Sequence, residues 1–440
     1  MPAAGLLVIL LAACSDHGGG AQEDAADADA VEDGAGADVA REDGEIDLPA
    51  DEIPVDPRED LSDEADADGG DDIADADVEE EFPEPTYPPF VWGPHSVGVR
   101  TMQAYDAELS KQIEMKVWYP APTPPSGSTP VTYMLVMRGR AYEDLAVDPS
   151  GAPYPLILFS HGNKGINFQS YSFTEYLASH GFFVVAPNHE GNTIFDNPSD
   201  EQMAQIALER PYDVAFAYDT VVAAAYNPSD PFHGMVDDWT VGMSGHSFGG
   251  YTALVVAGAT VDVDAARARC EAGSESDIFC PYIGFWPPGT VLSRPPQLWV
   301  VGAAVALAPG GYAAFGDEGL AGVGIPMMIF GGTLDEWTPL EIEIRPIYDG
   351  LTSDATRIEI EQAGHMSFTD ICRIPGSMLI PDLADMCDPS VYIDIDRAFE
   401  ITDTFATAFF RYRLKGETAM APYLEADFAA LYPEVAFASK

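Results

Sequence analysis

Ser247, Asp335 and His365 follow one another in the order serine, acid, histidine, and their settings suit covalent catalysis on a carbonyl carbon. Ser247 lies in Gly245-His-Ser-Phe-Gly-Gly250. A β-branched and apolar run (Thr240, Val241, Met243) precedes it, and a helical apolar pattern (Tyr251, Ala253, Leu254, Val255, Val256, Ala257) follows. Strand, glycine-flanked serine and helix are the layout of a nucleophile elbow. A bare G-x-S-x-G arises easily by chance in a chain with 40 glycines, so the flanking strand and helix carry the inference. A serine hydroxyl is a weak nucleophile until an adjacent base takes its proton. Of the eight histidines only His365 lies beyond Ser247, in the glycine-marked loop Gln362-Ala-Gly-His-Met-Ser-Phe368.

The acid that would orient His365 and stabilise its imidazolium form is best sought in Asp335. It follows the apolar run Ile325–Phe330 through Gly331-Gly-Thr-Leu, so it should emerge at the same sheet edge as Ser247; Glu336 and Asp317 are its rivals. Attack on a carbonyl places charge on oxygen, which two preorganised N–H donors can stabilise. One donor is the backbone of Phe248, the residue after the nucleophile. The other is expected from the loop His161-Gly162-Asn163, with Asn163 the donor and Gly162 permitting close approach. His161 and His246 are read as structural.

Several elements must position these groups. Val97–Met102 and Ile113–Tyr119 alternate as antiparallel strands around a polar turn at 106–111. Tyr154–Ser160, Phe182–Pro187, Val300–Ala308 and Ile325–Phe330 are continuous apolar runs, as buried parallel strands are, and Thr356–Ile360 is a last strand. Helical patterns cover 172–180, about 200–226, the stretch from Ser247 to about 259, and 392–414. Strands alternating with helices predict an α/β domain with a mostly parallel central sheet and helices on both faces, and the elbow at Ser247 is of the kind an α/β-hydrolase fold carries. Residues 262–297 and 372–390 break that rhythm and read as two irregular insertions. Each carries a cysteine pair, Cys270 with Cys280 and Cys372 with Cys387. Apart from Cys14 these four are all the cysteines, and an even number in an exported chain favours disulfides, here the two local ones, while the spacing does not suit a metal.

The net charge of −53 is unevenly placed: residues 15–88 hold 29 acidic side chains against Arg41 and Arg58. That stretch of Asp, Glu, Ala and Gly lacks the apolar residues of a core and is expected to be a disordered, self-repelling tether. The remaining surface is acidic enough to disfavour nucleic acid as a partner. Gly5–Ala13 is an apolar run too short to span a bilayer, and Leu11-Ala-Ala-Cys14 resembles a bacterial lipobox, although no basic residue precedes Arg41. The expected organisation is a lipoprotein signal peptide over 1–14, a tether over 15–88 and a catalytic domain over 89–440. Acylation of Cys14 would anchor the protein to a membrane of the bacterial cell envelope, the alternative being secretion.

Val97-Gly-Val-Arg-Thr, Val117-Trp-Tyr-Pro120, Phe159-Ser-His-Gly162, Leu177-Ala-Ser-His-Gly-Phe-Phe-Val-Val-Ala-Pro187 and Gly245-His-Ser-Phe-Gly-Gly250 together resemble the platelet-activating-factor acetylhydrolase and predicted dienelactone hydrolase group, over about residues 95–415. The chain is also similar in outline to cutinase-like polyester hydrolases. The resemblance implies a serine carboxylic-ester hydrolase acting on a small-molecule or lipid ester with no metal or cofactor. Two departures stand out. In the acetylhydrolases the acid follows the strand after the elbow helix, whereas here that strand ends Ala306-Leu-Ala-Pro-Gly310 and the role passes to Asp335. Dienelactone hydrolases use a cysteine nucleophile, so a dienelactone substrate is not expected. A lipase or polyester hydrolase is the alternative enzyme, and a catalytically silent surface binding protein is the alternative of another class.

Overall fold

Continuous apolar runs along buried strands dictate a sheet covered on both faces, and this is what the computed structural model contains over the residues it describes, 86–273, 277–374 and 381–440. Ten strands form one sheet: β1 (Ser96–Asp106), β2 (Lys111–Ala121), β3 (Tyr142–Glu143), β4 (Tyr154–Ser160), β5 (Phe183–Pro187), β6 (Val236–His246), β7 (Val301–Leu307), β8 (Met327–Gly332), β9 (Ala355–Ile360) and β10 (Val435–Ser439). Their spatial order is β10-β9-β8-β7-β6-β4-β5-β2-β1-β3. The pairs from β5 through β4, β6, β7 and β8 to β9 are all parallel. β2 joins β5 antiparallel, and β10 closes the far edge antiparallel to β9. The hairpin β1–β2 turns where Asp106 Oδ1 accepts the N–H groups of Glu108 and Leu109. This is an α/β-hydrolase fold.

The two faces follow from the two-residue period of a strand. Along β4, Leu156 and Leu158 enter one core layer while Ile157 and Phe159 enter the other. β5 divides likewise, Phe183 and Val185 against Val184 and Ala186. The first layer is roofed by α2 (Asp200–Tyr226), α3 (Phe248–Ala257), α4 (Val263–Glu271), α6 (Tyr312–Leu320) and α7 (Arg345–Gly350). The second is roofed by α1 (Tyr171–Ser179) and α8 (Ile395–Lys415), whose Phe405, Phe409 and Phe410 are buried. α2 begins at a capping box in which Ser199 and Gln202 bond reciprocally, and α8 begins at Asp394, whose carboxylate accepts from the N–H groups of Asp396 and Arg397.

The predicted strands all form, with ends displaced by a few residues. Sequence patterning did not mark α6, α7 or the edge strand β10. α6 contains Gly316 with non-helical backbone angles and β10 is only half-buried, so both carry weak periodic signals. The first insertion is less irregular than expected, since it contains α4 and the four-residue helix α5 (Cys280–Ile283). Cys270–Cys280 and Cys372–Cys387 are both disulfide-bonded. Closing loops of this length stabilises by about 3 kcal/mol each in the chain-entropy account. The lipobox Cys14, and the tether up to residue 85, lie outside the described residues. No helix among the described residues is long and apolar enough to cross a membrane.

Candidate active site

β6 ends directly in the elbow. Ser247 takes φ 56° and ψ −116°, a left-handed conformation that an L-residue adopts at a cost of roughly 1–3 kcal/mol. The turn fits only because its neighbours lack side chains. A Cβ on Gly245 would stand 2.3 Å from the Gly249 carbonyl oxygen, and one on Gly249 only 1.8 Å from that of Ser160. Both obstacles are backbone, which cannot rotate away. Gly249→Ala is therefore expected to lower stability by about 3 kcal/mol or more, read as a fall in the urea midpoint; an unchanged midpoint would show that the elbow can relax.

At the same sheet edge the loop after β8 carries Asp335 and the loop after β9 carries His365. His365 Nδ1–H donates to Asp335 Oδ2 at 2.8 Å. Asp335 is saturated with donors: Oδ1 accepts from the N–H groups of Trp337 (2.9 Å) and Thr338 (2.8 Å), and Oδ2 also accepts from the Thr338 hydroxyl at 2.7 Å. Burial alone would raise its pKa, but His365 and the Thr338 donors outweigh that and hold it down at about 2. Among the described residues neither rival is hydrogen-bonded to His365. Glu336 is exposed, and Asp317, also exposed, accepts from the Tyr312 hydroxyl at 2.9 Å.

Ser247, His365, Asn163 and Phe248 line one cavity of about 330 Å³. Ser247 and His365 are each 7% exposed, at its floor. Among the described residues neither Asn163 nor Phe248 has its backbone N–H engaged by another protein group. Apart from Lys164 and Glu336 the walls are largely apolar. Ile278, Phe279 and Tyr282 come from the first insertion, Ile374 from the second and Ile371 from just before it, and Met134, Met137, Met203, Met366 and Trp337 complete them. Both disulfides thus lie close behind cavity walls.

Three residues that sequence reasoning passed over hold this arrangement. Thr338 sits three positions after Asp335, the spacing of a side chain folding back on its own turn. Gln169 accepts from the Gly162 N–H at 3.0 Å and donates to His246 Nδ1 at 2.8 Å. The other nitrogen of His246 donates to the His365 carbonyl at 3.0 Å, so the variable position of the elbow ties the loop after β4 to the loop after β9. His246 is neutral, its pKa pressed to about 3 by burial and by His365. The third, Arg210, contacts Ser160 and the His161 carbonyl on one side and the Phe248 ring on the other.

A second serine–histidine–aspartate array lies under the first. Ser160 Oγ stands 2.8 Å from His189 Nε2, and His189 Nδ1–H donates to Asp213 Oδ2 at 2.8 Å. His161 adjoins it, accepting from the His189 N–H at 3.1 Å and donating through Nδ1 to the Gly162 carbonyl. Burial drives both imidazoles well below their usual pKa, so they are neutral. Ser160, His161 and His189 are all 0% exposed, which makes this array structural. Among the described residues no set of three His, Cys, Asp or Glu side chains is gathered to hold a metal ion.

Residues 145–267 match the family model described as chlorophyllase, a family of α/β-hydrolase type. The matched stretch runs from before β4 into α4 and includes Asn163, Ser247 and Phe248, but neither Asp335 nor His365. It supports a hydrolase of the α/β superfamily that acts on esters. No curated protein is detectably similar to the chain.

Proposed function

We propose that the protein is a serine carboxylic-ester hydrolase working through Ser247, His365 and Asp335. The observation that carries the reading is the 2.8 Å bond from His365 to the donor-saturated Asp335, beside a strained serine on the floor of the same cavity. In the first step Ser247 Oγ attacks the ester carbonyl, and His365 takes its proton through Nε2, because Nδ1–H is committed to Asp335. The N–H groups of Asn163 and Phe248 receive the oxyanion. His365 then protonates the leaving alcohol. A water repeats the sequence on the acyl-enzyme and frees the acid and Ser247.

The substrate class follows from the walls. A cavity lined by methionine, isoleucine and aromatic side chains favours esters with an apolar acyl or alcohol part, each buried methylene adding about 0.8 kcal/mol. The resemblance to the acetylhydrolase group and the chlorophyllase match agree on ester hydrolysis. The apolar walls keep the lipase or polyester reading as the second one. A panel of p-nitrophenyl esters separates them: kcat/KM is expected to rise from acetate to about hexanoate or octanoate. A steep fall beyond acetate would return the reading to a short-chain acetylhydrolase, and no hydrolysis or fluorophosphonate labelling at all would reject the enzyme. Anchoring through Cys14 belongs to the same proposal, and globomycin-insensitive processing with no lipid-shifted mass would remove it.

A further inference from the structure

Arg210 is a fully buried cation with no carboxylate at ion-pair distance among the described residues. The nearest candidate, Asp213, is occupied by Lys111 Nζ at 2.6 Å and by His189. Burial lowers the Arg210 pKa to about 9, which still leaves it charged at neutral pH. Leaving a buried charge unpaired is costly unless its hydrogen bonds are met. Four of its five N–H donors are met, all by neutral groups: Nη1 donates to Asn192 Oδ1 at 2.7 Å, Nη2 to Ser160 Oγ at 3.2 Å and to the His161 carbonyl, and Nε to Thr252 Oγ1 at 3.3 Å.

Ser160 and His161 lead into the Asn163 segment, Thr252 lies on the helix that starts at Phe248, and Asn192 belongs to the loop after β5. Asn192, held by Arg210, passes the contact on: its Nδ2 donates to Asn163 Oδ1 at 2.7 Å. The His161 carbonyl is two residues before Asn163. On the other side the guanidinium lies over the Phe248 ring, 4.4 Å from its centroid, and Thr252 is on the helix that the elbow opens. The buried array behind completes the frame. Because Arg210 donates to Ser160 Oγ, the Ser160 O–H is left to donate to neutral His189, whose Nδ1–H is fixed by Asp213.

We propose that Arg210 is the positioning residue of the oxyanion hole, one guanidinium that sets the spacing of the Asn163 and Phe248 donors by gripping both segments from below. The inference rests on the ester-hydrolase reading for its kinetic consequence but not for its structural one. Lysine cannot replace it, since a single ammonium has no planar fork to meet acceptors on separate segments.

The test uses the full chain with Arg210→Met, Arg210→Lys and Asn192→Ala, p-nitrophenyl butyrate as substrate, and amide hydrogen exchange over residues 160–166 and 246–250. Folded Arg210→Met is expected to lose about 100-fold in kcat with KM changed by less than about threefold, the signature of a lost transition-state contact. Arg210→Lys should recover less than about a tenth of the wild-type kcat. Asn192→Ala cuts only one branch, and should lose about tenfold while speeding exchange over 160–166 alone. Wild-type kcat in folded Arg210→Met overturns the proposal. If Arg210→Met does not fold, Asn192→Ala decides, and wild-type kcat and exchange there overturn it. If the wild type hydrolyses no ester, the functional reading fails by itself; exchange then decides, faster in both variants supporting the brace and unchanged in both refuting it.

Discussion

Ser247→Ala is expected to remove hydrolysis of p-nitrophenyl esters by about 10⁴-fold or more and to abolish fluorophosphonate labelling. Its stability should not fall. The residue is only 7% exposed, yet its backbone is held by an N–H bond to the Leu307 carbonyl and by its own carbonyl accepting from Tyr251, and neither involves the hydroxyl. The measurement is made on intact protein by mass spectrometry after labelling, with the modified peptide sequenced. The peptide's identity matters because Ser160 also stands beside a histidine and an aspartate. A label retained in Ser247→Ala would displace the whole mechanism.

Asp335→Asn carries the second large effect, an expected fall in kcat of about 10⁴-fold. An amide can donate to His365 Nδ1 and so hold the imidazole in the tautomer whose Nε2 already bears a proton. The accompanying loss is specific in pH. The carboxyl is held at about 2 in the folded chain, below its ordinary value. A depressed carboxyl contributes stability that is complete above roughly pH 4 and lost as pH falls towards 2, on the order of 2 kcal/mol in all. Asp335→Asn should flatten that acid limb of the stability curve. Asp317→Asn should leave both kcat and the acid limb unchanged, because Asp317 is an exposed partner of Tyr312. A greater loss of activity in Asp317→Asn than in Asp335→Asn would mean that the acid is misassigned.

Much of this was legible in the sequence because it depends on local pattern. β4 reads as seven consecutive buried residues, and all seven are buried. The elbow declares itself through glycines whose absent side chains are needed within a few residues of the serine. His365 could be chosen by its place in the chain alone. What was not legible depends on separations that chain order does not encode. Arg210 looks like an ordinary helical arginine before Pro211 until α2 is laid on the loops after β4 and β5. Gln169 and His246 are 77 residues apart, and neither type nor spacing announces that they meet. Thr338 is the exception: its distance from Asp335 is local, and an Asp-x-x-Thr turn could have been proposed in advance. α6 escaped notice for a different reason, since its glycine kink breaks the period on which helix reading relies.

The deeper array shows how a serine beside a base can be inert. Ser160 has a neutral imidazole at 2.8 Å and an aspartate behind that imidazole, so the three side-chain types of a triad alone do not mark a reactive site. What Ser160 lacks is room. Its oxygen already accepts from a guanidinium, its proton is already given to His189, and no surface reaches it along which a carbonyl carbon could travel. Such an array works as mortar: it uses the directional bonding that makes a triad reactive to join strands, a loop and a helix beneath the floor of a cavity. Chemistry in this fold depends as much on which serine is left an empty side as on which serine is given a base.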